Sequence, residues 1–147
     1  MMATSFRITN DMQASEDIIQ ESFLTSFTKL NSLSKPENYE GWLRKIVINN
    51  SLAHLKKKKN QIEININELS ELTMETEENW FTEISFDKIR DAIQELPMGA
   101  RIVFSLYALE GYKHREIAAI QSITEATSKT QYRYAKKLLK ASLTKMV

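Results

Sequence analysis

Lys129, Arg133, Lys136, Lys137 and Lys140 recur at spacings that a helix gathers onto one broad face. Cations arrayed this way hold phosphate oxygens, and an arginine among them can grip two acceptors on a guanine edge. They close a stretch, residues 109–140, that reads as a turn, a short helix, a second turn and a longer helix. Ile123, Thr127, Ala135, Leu138 and Leu139 offer packing surface on the second helix. Leu109, Ile117, Ala118 and Ile120 offer the opposing packing surface. Gly111 suits the end of the helix before the first turn. Thr124 suits the N-cap of the second helix, with Glu125 in its first turn. Two short helices crossing through a turn near Ile123 form a helix-turn-helix, whose second helix fits a DNA major groove. A small bundle with a solvated basic face carries the same periodicity.

A second basic concentration lies upstream. Residues 41–60 hold Arg44, Lys45 and Lys56 to Lys59 without an acid. Residues 61–84 hold seven glutamates and no base, and residues 85–147 return to eleven basic against six acidic residues. The net charge of +1 conceals this alternation, which suggests two modules facing nucleic acid around an acidic linker. Asn49 and Asn50, poor helix formers together in mid-helix, either satisfy buried groups or face something polar. Chemistry of other kinds finds no support. His54 and His114 belong to different modules without ligands at metal spacing, and no phosphate loop or nucleophile elbow occurs. Asp17 and Glu21 are an ordinary acidic pair on one helix face. We therefore expect no enzyme activity, cofactor or metal. His54 is expected to face solvent, and His114 to stand near the first turn of its helix.

The elements that must position these groups are helices. The 147 residues include 3 glycines, 2 prolines and no cysteine, with 42% hydrophobic and 27% charged residues. That balance predicts an all-α chain of one or two small domains, without disulfides. No apolar run is long enough for a membrane span and no leader is evident, so a cytoplasmic protein is expected. Residues 1–10 look like a helix tail with Phe6 and Ile8 partly buried, too short to make a layer alone. Asn10 or Asp11 caps a helix to about Leu30, with Ile19, Phe23 and Phe27 on its apolar face, widened by Ile18 and Leu30. Its Glu16, Asp17, Gln20 and Glu21 are either a solvated face or a docking surface for a basic partner. Residues 31–38 form a loop around Pro36. Tyr39 to Lys59 is one helix with Tyr39, Trp42, Leu43, Ile46, Val47, Leu52 and Leu55 inward. After the linker, Phe86, Ile89, Ile93 and Leu96 mark a helix stopped by Pro97. Ala100 to Leu109 makes the next, burying Ile102, Val103, Leu106 and Tyr107.

Three motifs in this order resemble the extracytoplasmic-function sigma factors of bacterial RNA polymerase. In ASEDIIQESFLTSFTKL, residues Ala14, Glu16, Asp17, Gln20, Glu21 and Phe23 fall on the first. In YEGWLRKIVINNSLAHLKKK, residues Trp42, Leu43, Ile46 and Asn49 fall on the promoter-melting helix. In ELPMGARIVFSLYALEGYKHREIAAI, residues Glu95, Leu96, Pro97, Arg101, Phe104, Glu110, Gly111, Tyr112, Glu116, Ile117 and Ala118 fall on the third.

The resemblance implies a region 2-like domain over residues 1–59, an acidic linker over 60–84 and a region 4-like domain over 85–147. It implies that Glu16, Asp17, Gln20 and Glu21 bind the polymerase. Tyr39, Trp42, Asn49, Lys56 and Lys57 would meet the minus-ten strand. Lys129, Thr130, Arg133 and Tyr134 would read the minus-35 groove, with Lys136, Lys137 and Lys140 on phosphates. The implied partners are core RNA polymerase, through its clamp helices and flap, promoter DNA, and an anti-sigma factor. The other readings at this point are a stand-alone helix-turn-helix regulator and an inactive sigma-like remnant. Three departures stand out. The first domain is expected to lack its first helix. Gln121 and Ser122 replace the usual Leu and Gly of the turn. Tyr134 replaces a usual arginine.

Overall fold

The computed structural model describes residues 1–32, 35–59 and 86–144. All regular structure among them is helical, and the chain divides into two compact units. The expected acidic linker, 60–84, lies outside the described residues.

The first unit packs three helices against one another: α1 (Met2–Thr9), α2 (Met12–Thr28) and α3 (Tyr39–Lys59). The Asn10–Asp11 pair does two jobs. Asn10 closes α1 in the left-handed region at φ 53°, its N–H donating to the Phe6 carbonyl at 2.8 Å. Asp11 opens α2 by accepting from the Ala14 N–H at 3.1 Å. The opening residues are more than a tail: Thr4, Ser5, Ile8 and Thr9 of α1 are buried against its neighbours.

The buried face of α2 is turned about 90° from the expected one, sharing only Ile18 with it. Its buried line is Ser15, Ile18, Ser22 and Ser26, not the phenylalanines. Small hydroxyls let the helix axes approach, and they pair across the contacts. Ser5 Oγ meets Ser51 Oγ at 2.8 Å and Thr9 Oγ1 meets Ser15 Oγ at 2.9 Å. Asn50 Nδ2 donates to Ser22 Oγ at 3.0 Å, and Ser26 Oγ meets the Tyr39 hydroxyl at 3.0 Å. Polar atoms so partnered cost little on burial. Phe23 and Phe27 are left 40% and 67% exposed, with Leu24 and Leu30 beside them. From α3, Leu43, Val47, Ile48, Leu52 and Leu55 complete the core, while Trp42 and Ile46 are only half-buried.

The second unit comprises α4 (Phe86–Gln94), α5 (Met98–Phe104), a π-helical turn (Ser105–Leu109), α6 (His114–Gln121) and α7 (Glu125–Thr144). Ala92, Ile93 and Leu96 meet Ala100 and Phe104 of α5 and Ala135, Leu139 and Leu143 of α7. Arg101 is buried at the corner, where its guanidinium donates to the Leu96 carbonyl at 3.2 Å. Phe86, expected on the apolar face, stands almost fully exposed at the first position of α4. The expected helix over 100–109 is α5 running into the π turn, where a wider loop of backbone changes the register of the side chains. Leu106 is buried, but Tyr107 and Leu109 turn outward. Gly111 then takes φ 77°, and the Tyr112 N–H returns to the Leu106 carbonyl at 2.8 Å.

Candidate nucleic-acid interface

The pair α6 and α7 is the helix-turn-helix that residues 109–140 predicted. Ile117 is fully buried on α6, as are Ala135 and Leu139 on α7. Ile120, expected in that contact, is 38% exposed. Thr124 caps α7, its Oγ1 accepting the Thr127 N–H at 3.0 Å. Glu116 accepts from the Lys113 N–H at 3.3 Å at the start of α6. Between the helices Ser122 sits at φ 55°, ψ 42°, the left-handed cap that glycine usually fills. The Ile123 N–H reaches back to the Ala118 carbonyl at 3.0 Å, closing the turn.

With Ala135 and Leu139 inward, helical geometry turns Ala126, Thr130, Arg133 and Lys137 to the opposite side. Arg133, Lys137 and Lys129 are exposed, and Thr130 is half-buried. Lys129 pairs with Glu125 at 3.6 Å, an exposed i,i+4 contact of little energetic weight. Lys140 is half-buried on the same side. Lys136 leans over the Tyr132 ring, Nζ 4.9 Å from its centre. Tyr134 departs from the expected set, because it packs against the core of the unit instead of standing on the basic face. Its position lies about 100° around the helix from Arg133.

The second expected surface is on α3. Trp42, Asn49 and Lys56 follow one another at two-turn intervals, so they share one side. Asn49 and Lys56 are exposed, and Trp42 is half-buried with its ring 6.0 Å from that of Tyr39. The two asparagines thus separate: Asn50 serves the interior through Ser22, and Asn49 faces out. Lys57 is exposed too, but it borders a groove of about 550 Å³ between α2 and α3, with Asp11, Asp17, Glu21 and His54. His54 does not face solvent as expected. It is half-buried there, with Nε2 shielded and unpartnered among the described residues.

Glu16, Asp17, Gln20 and Glu21 are all exposed on α2. Sequence reasoning misses what stands beside them, the outward Phe23, Leu24, Phe27 and Leu30. The recurrence of Phe23 and Phe27 is visible in the chain, but it resembles core because nothing in the sequence marks which of two faces a helix buries. Also missed is the cluster around His114. Its ring stacks on Tyr107 at 4.1 Å, and its Nδ1 lies 2.8 Å from Ser128 Oγ. Burial, Lys129 and Arg133 together hold the imidazole below its ordinary range, against an opposing pull from Glu125. No group of three or more acidic or histidine side chains gathers for a metal among the described residues. No described helix is long and apolar enough to cross a membrane.

Comparison with known proteins adds three findings. Residues 2–61 match the family described as Sigma-70 region 2, and residues 86–139 match Sigma-70, region 4. Among curated proteins, the RNA polymerase sigma factor SigV of Bacillus subtilis is 29% identical over 129 residues, covering 88% of this chain and 75% of that one. The ECF RNA polymerase sigma factor EcfG of Rhodopseudomonas palustris is 22% identical, covering 97% and 78%. Among solved structures, the sigma factor RpoE of Bartonella quintana, crystallised with the anti-sigma factor NepR, shares the fold. Its TM-score is 0.62 at 18% identity, covering 97% of this chain and 89% of that one.

Proposed function

This chain belongs to the sigma-70 family, in its extracytoplasmic-function group, and on that ground we propose how its two units divide the work of a promoter-specificity factor. It is a sigma factor and not an enzyme. The observation that carries the reading is the pairing, in one chain, of a region 2 unit with a region 4 helix-turn-helix whose basic side is open. A stand-alone regulator needs only the second.

The region 2-like unit, residues 1–59, binds core RNA polymerase through α2. Glu16, Asp17, Gln20 and Glu21 steer a basic partner surface. The outward Phe23, Leu24 and Phe27 beside them supply the apolar contact that exposed charges alone do not. The outer side of α3, with Trp42, Asn49 and Lys56, holds the melted minus-ten strand by stacking, amide contacts and charge. Tyr39 and Lys57 flank that side, and the Tyr39 hydroxyl is tied back to Ser26. The region 4-like unit, residues 85–147, reads the minus-35 duplex. Lys129, Thr130 and Arg133 reach base edges, while Lys136, Lys137 and Lys140 hold phosphates. The acidic segment 60–84 links the two. An anti-sigma factor, such as the one bound by the Bartonella relative, is a further partner.

Run-off transcription with core polymerase on a promoter library tests the whole reading. We expect transcripts that depend on this chain and share two sequence elements. Co-elution with the core should be lost in Phe27→Glu and Glu21→Lys. Specific duplex binding without any co-elution would overturn the reading.

A further inference from the structure

We propose that His114 is a positioning residue for duplex recognition: through Ser128 it sets the roll of α7 on α6, and so which base edges Lys129, Thr130 and Arg133 meet. The inference rests on the reading of α7 as the duplex-reading helix.

The geometry places one side chain at the start of α6 in command of the first turns of α7. The His114 ring lies nearly parallel to Tyr107, 4.1 Å away and 14° inclined. It meets Tyr132 of α7 edge-on at 5.7 Å. Its Nδ1 is 2.8 Å from the hydroxyl of Ser128, which is fully buried. Ser128 immediately precedes Lys129 and Thr130, so holding Ser128 fixes the azimuth of both. The cluster is anchored behind by Tyr132, which stacks on buried Phe104 at 5.8 Å and leans on Tyr107 at 4.6 Å. Tyr107 reaches the ring because the π turn rotates it out of the core, where an unbroken helix was expected to bury it.

Small rotations matter at this radius. A side chain ending about 5–6 Å from the helix axis moves roughly 2 Å for a roll of about 20°. That exceeds the distance tolerance of a hydrogen bond to a base edge. The exposed cations are therefore only as selective as the buried contact that orients them.

The proton state of the ring enters the same contact. The charged groups that reach it are Lys129, Glu125 and Arg133, all from α7, and Tyr107 of the π turn lies against it. In the neutral tautomer that carries its proton on Nε2, the ring offers Nδ1 as acceptor for the Ser128 hydroxyl. Protonation turns Nδ1 into a donor and sets a third cation beside Lys129 and Arg133.

The test uses the full chain with core polymerase and a library of duplexes randomised across the upstream promoter element. Wild type is compared with Ser128→Ala, His114→Phe and the double variant, each at several salt concentrations. Ser128→Ala removes only a hydroxyl and places a good helix former in α7, so it keeps the fold should His114→Phe not. Each single variant should lose about two- to tenfold in preference for the recovered consensus, the range of one hydrogen bond. The double variant should lose no more than either single, as partners in one contact require. The salt slope should stay unchanged, since no phosphate contact is removed. Acidification should lower the preference of wild type and leave that of His114→Phe flat. Variants that recover the wild-type consensus with undiminished preference overturn the proposal. So does a salt slope lower by about one unit, which would make His114 a phosphate contact. Should wild type itself recover no consensus, the reading of α7 falls, and this assignment with it.

Discussion

Replacing Ser122 by glycine should stabilise the helix-turn-helix unit. Ser122 holds φ 55°, ψ 42°, where its Cβ crowds the following carbonyl. An L-residue there costs roughly 1–2 kcal/mol. Glycine removes that strain but gives back about 0.4–1 kcal/mol through the larger freedom of the unfolded chain. The balance is a gain centred on about 0.8 kcal/mol, between roughly 0 and 1.6. For a unit of this size, 1 kcal/mol moves the midpoint by about 4–8 °C, so we expect a rise centred on about 3–6 °C. Circular dichroism melting of the full chain, with calorimetry to separate the two units, measures it. Gly111 is the control with opposite sign. It holds φ 77°, and nothing lies within 4 Å of the place a methyl group would take, so Gly111→Ala introduces backbone strain without a clash. It should lower the same transition by about 1 kcal/mol. A lower midpoint in Ser122→Gly would refute the strain argument.

Other outcomes follow from named contacts. Ser22→Ala leaves the Asn50 amide without its 3.0 Å partner and should destabilise the first unit by about 1–2 kcal/mol in denaturant titration. Arg133→Ala should relax preference at one or two base pairs, by about 1–3 kcal/mol of discrimination. Lys137→Ala should weaken all duplexes alike and lower the salt slope by about one unit, both read from binding isotherms. Because His114 is held below its ordinary value of 6.5, the unfolded chain takes up a proton more readily than the folded one. Stability of the second unit should be full above about pH 6.5 and fall as pH drops below it, and His114→Phe should remove that loss in pH-dependent melting.

Much of this protein is legible in its sequence alone. The bounds of α3, the cap at Thr124, the turn at Gly111 and the stop at Pro97 follow from residues acting on their own backbone, within one turn of chain. So does the basic side of α7, because Ala135 and Leu139 leave only one way to turn it. The positive φ at position 122 follows from the same local logic, once glycine is expected there. Family motifs in order carry the identity, since each needs particular residue types at fixed spacing.

The tertiary structure decided what depends on neighbours. The sequence of α2 offers two faces that a helix can bury, one of phenylalanines and one of serines. Hydropathy favours the first, and the fold takes the second because α1 and α3 bring Thr9, Asn50 and Tyr39 close enough to pair with its serines. Asn49 and Asn50 are equal in sequence and divided by whether Ser22 lies opposite. Tyr134 sits among basic residues in the chain, yet it packs against the core because the α4–α5 corner lies on its side of α7. His114 gains its partners from the π turn and α7, across 7 and 14 residues. Local propensity acts through the bonded backbone and is written residue by residue. Burial and pairing act through space, and they are set only when the helices have met.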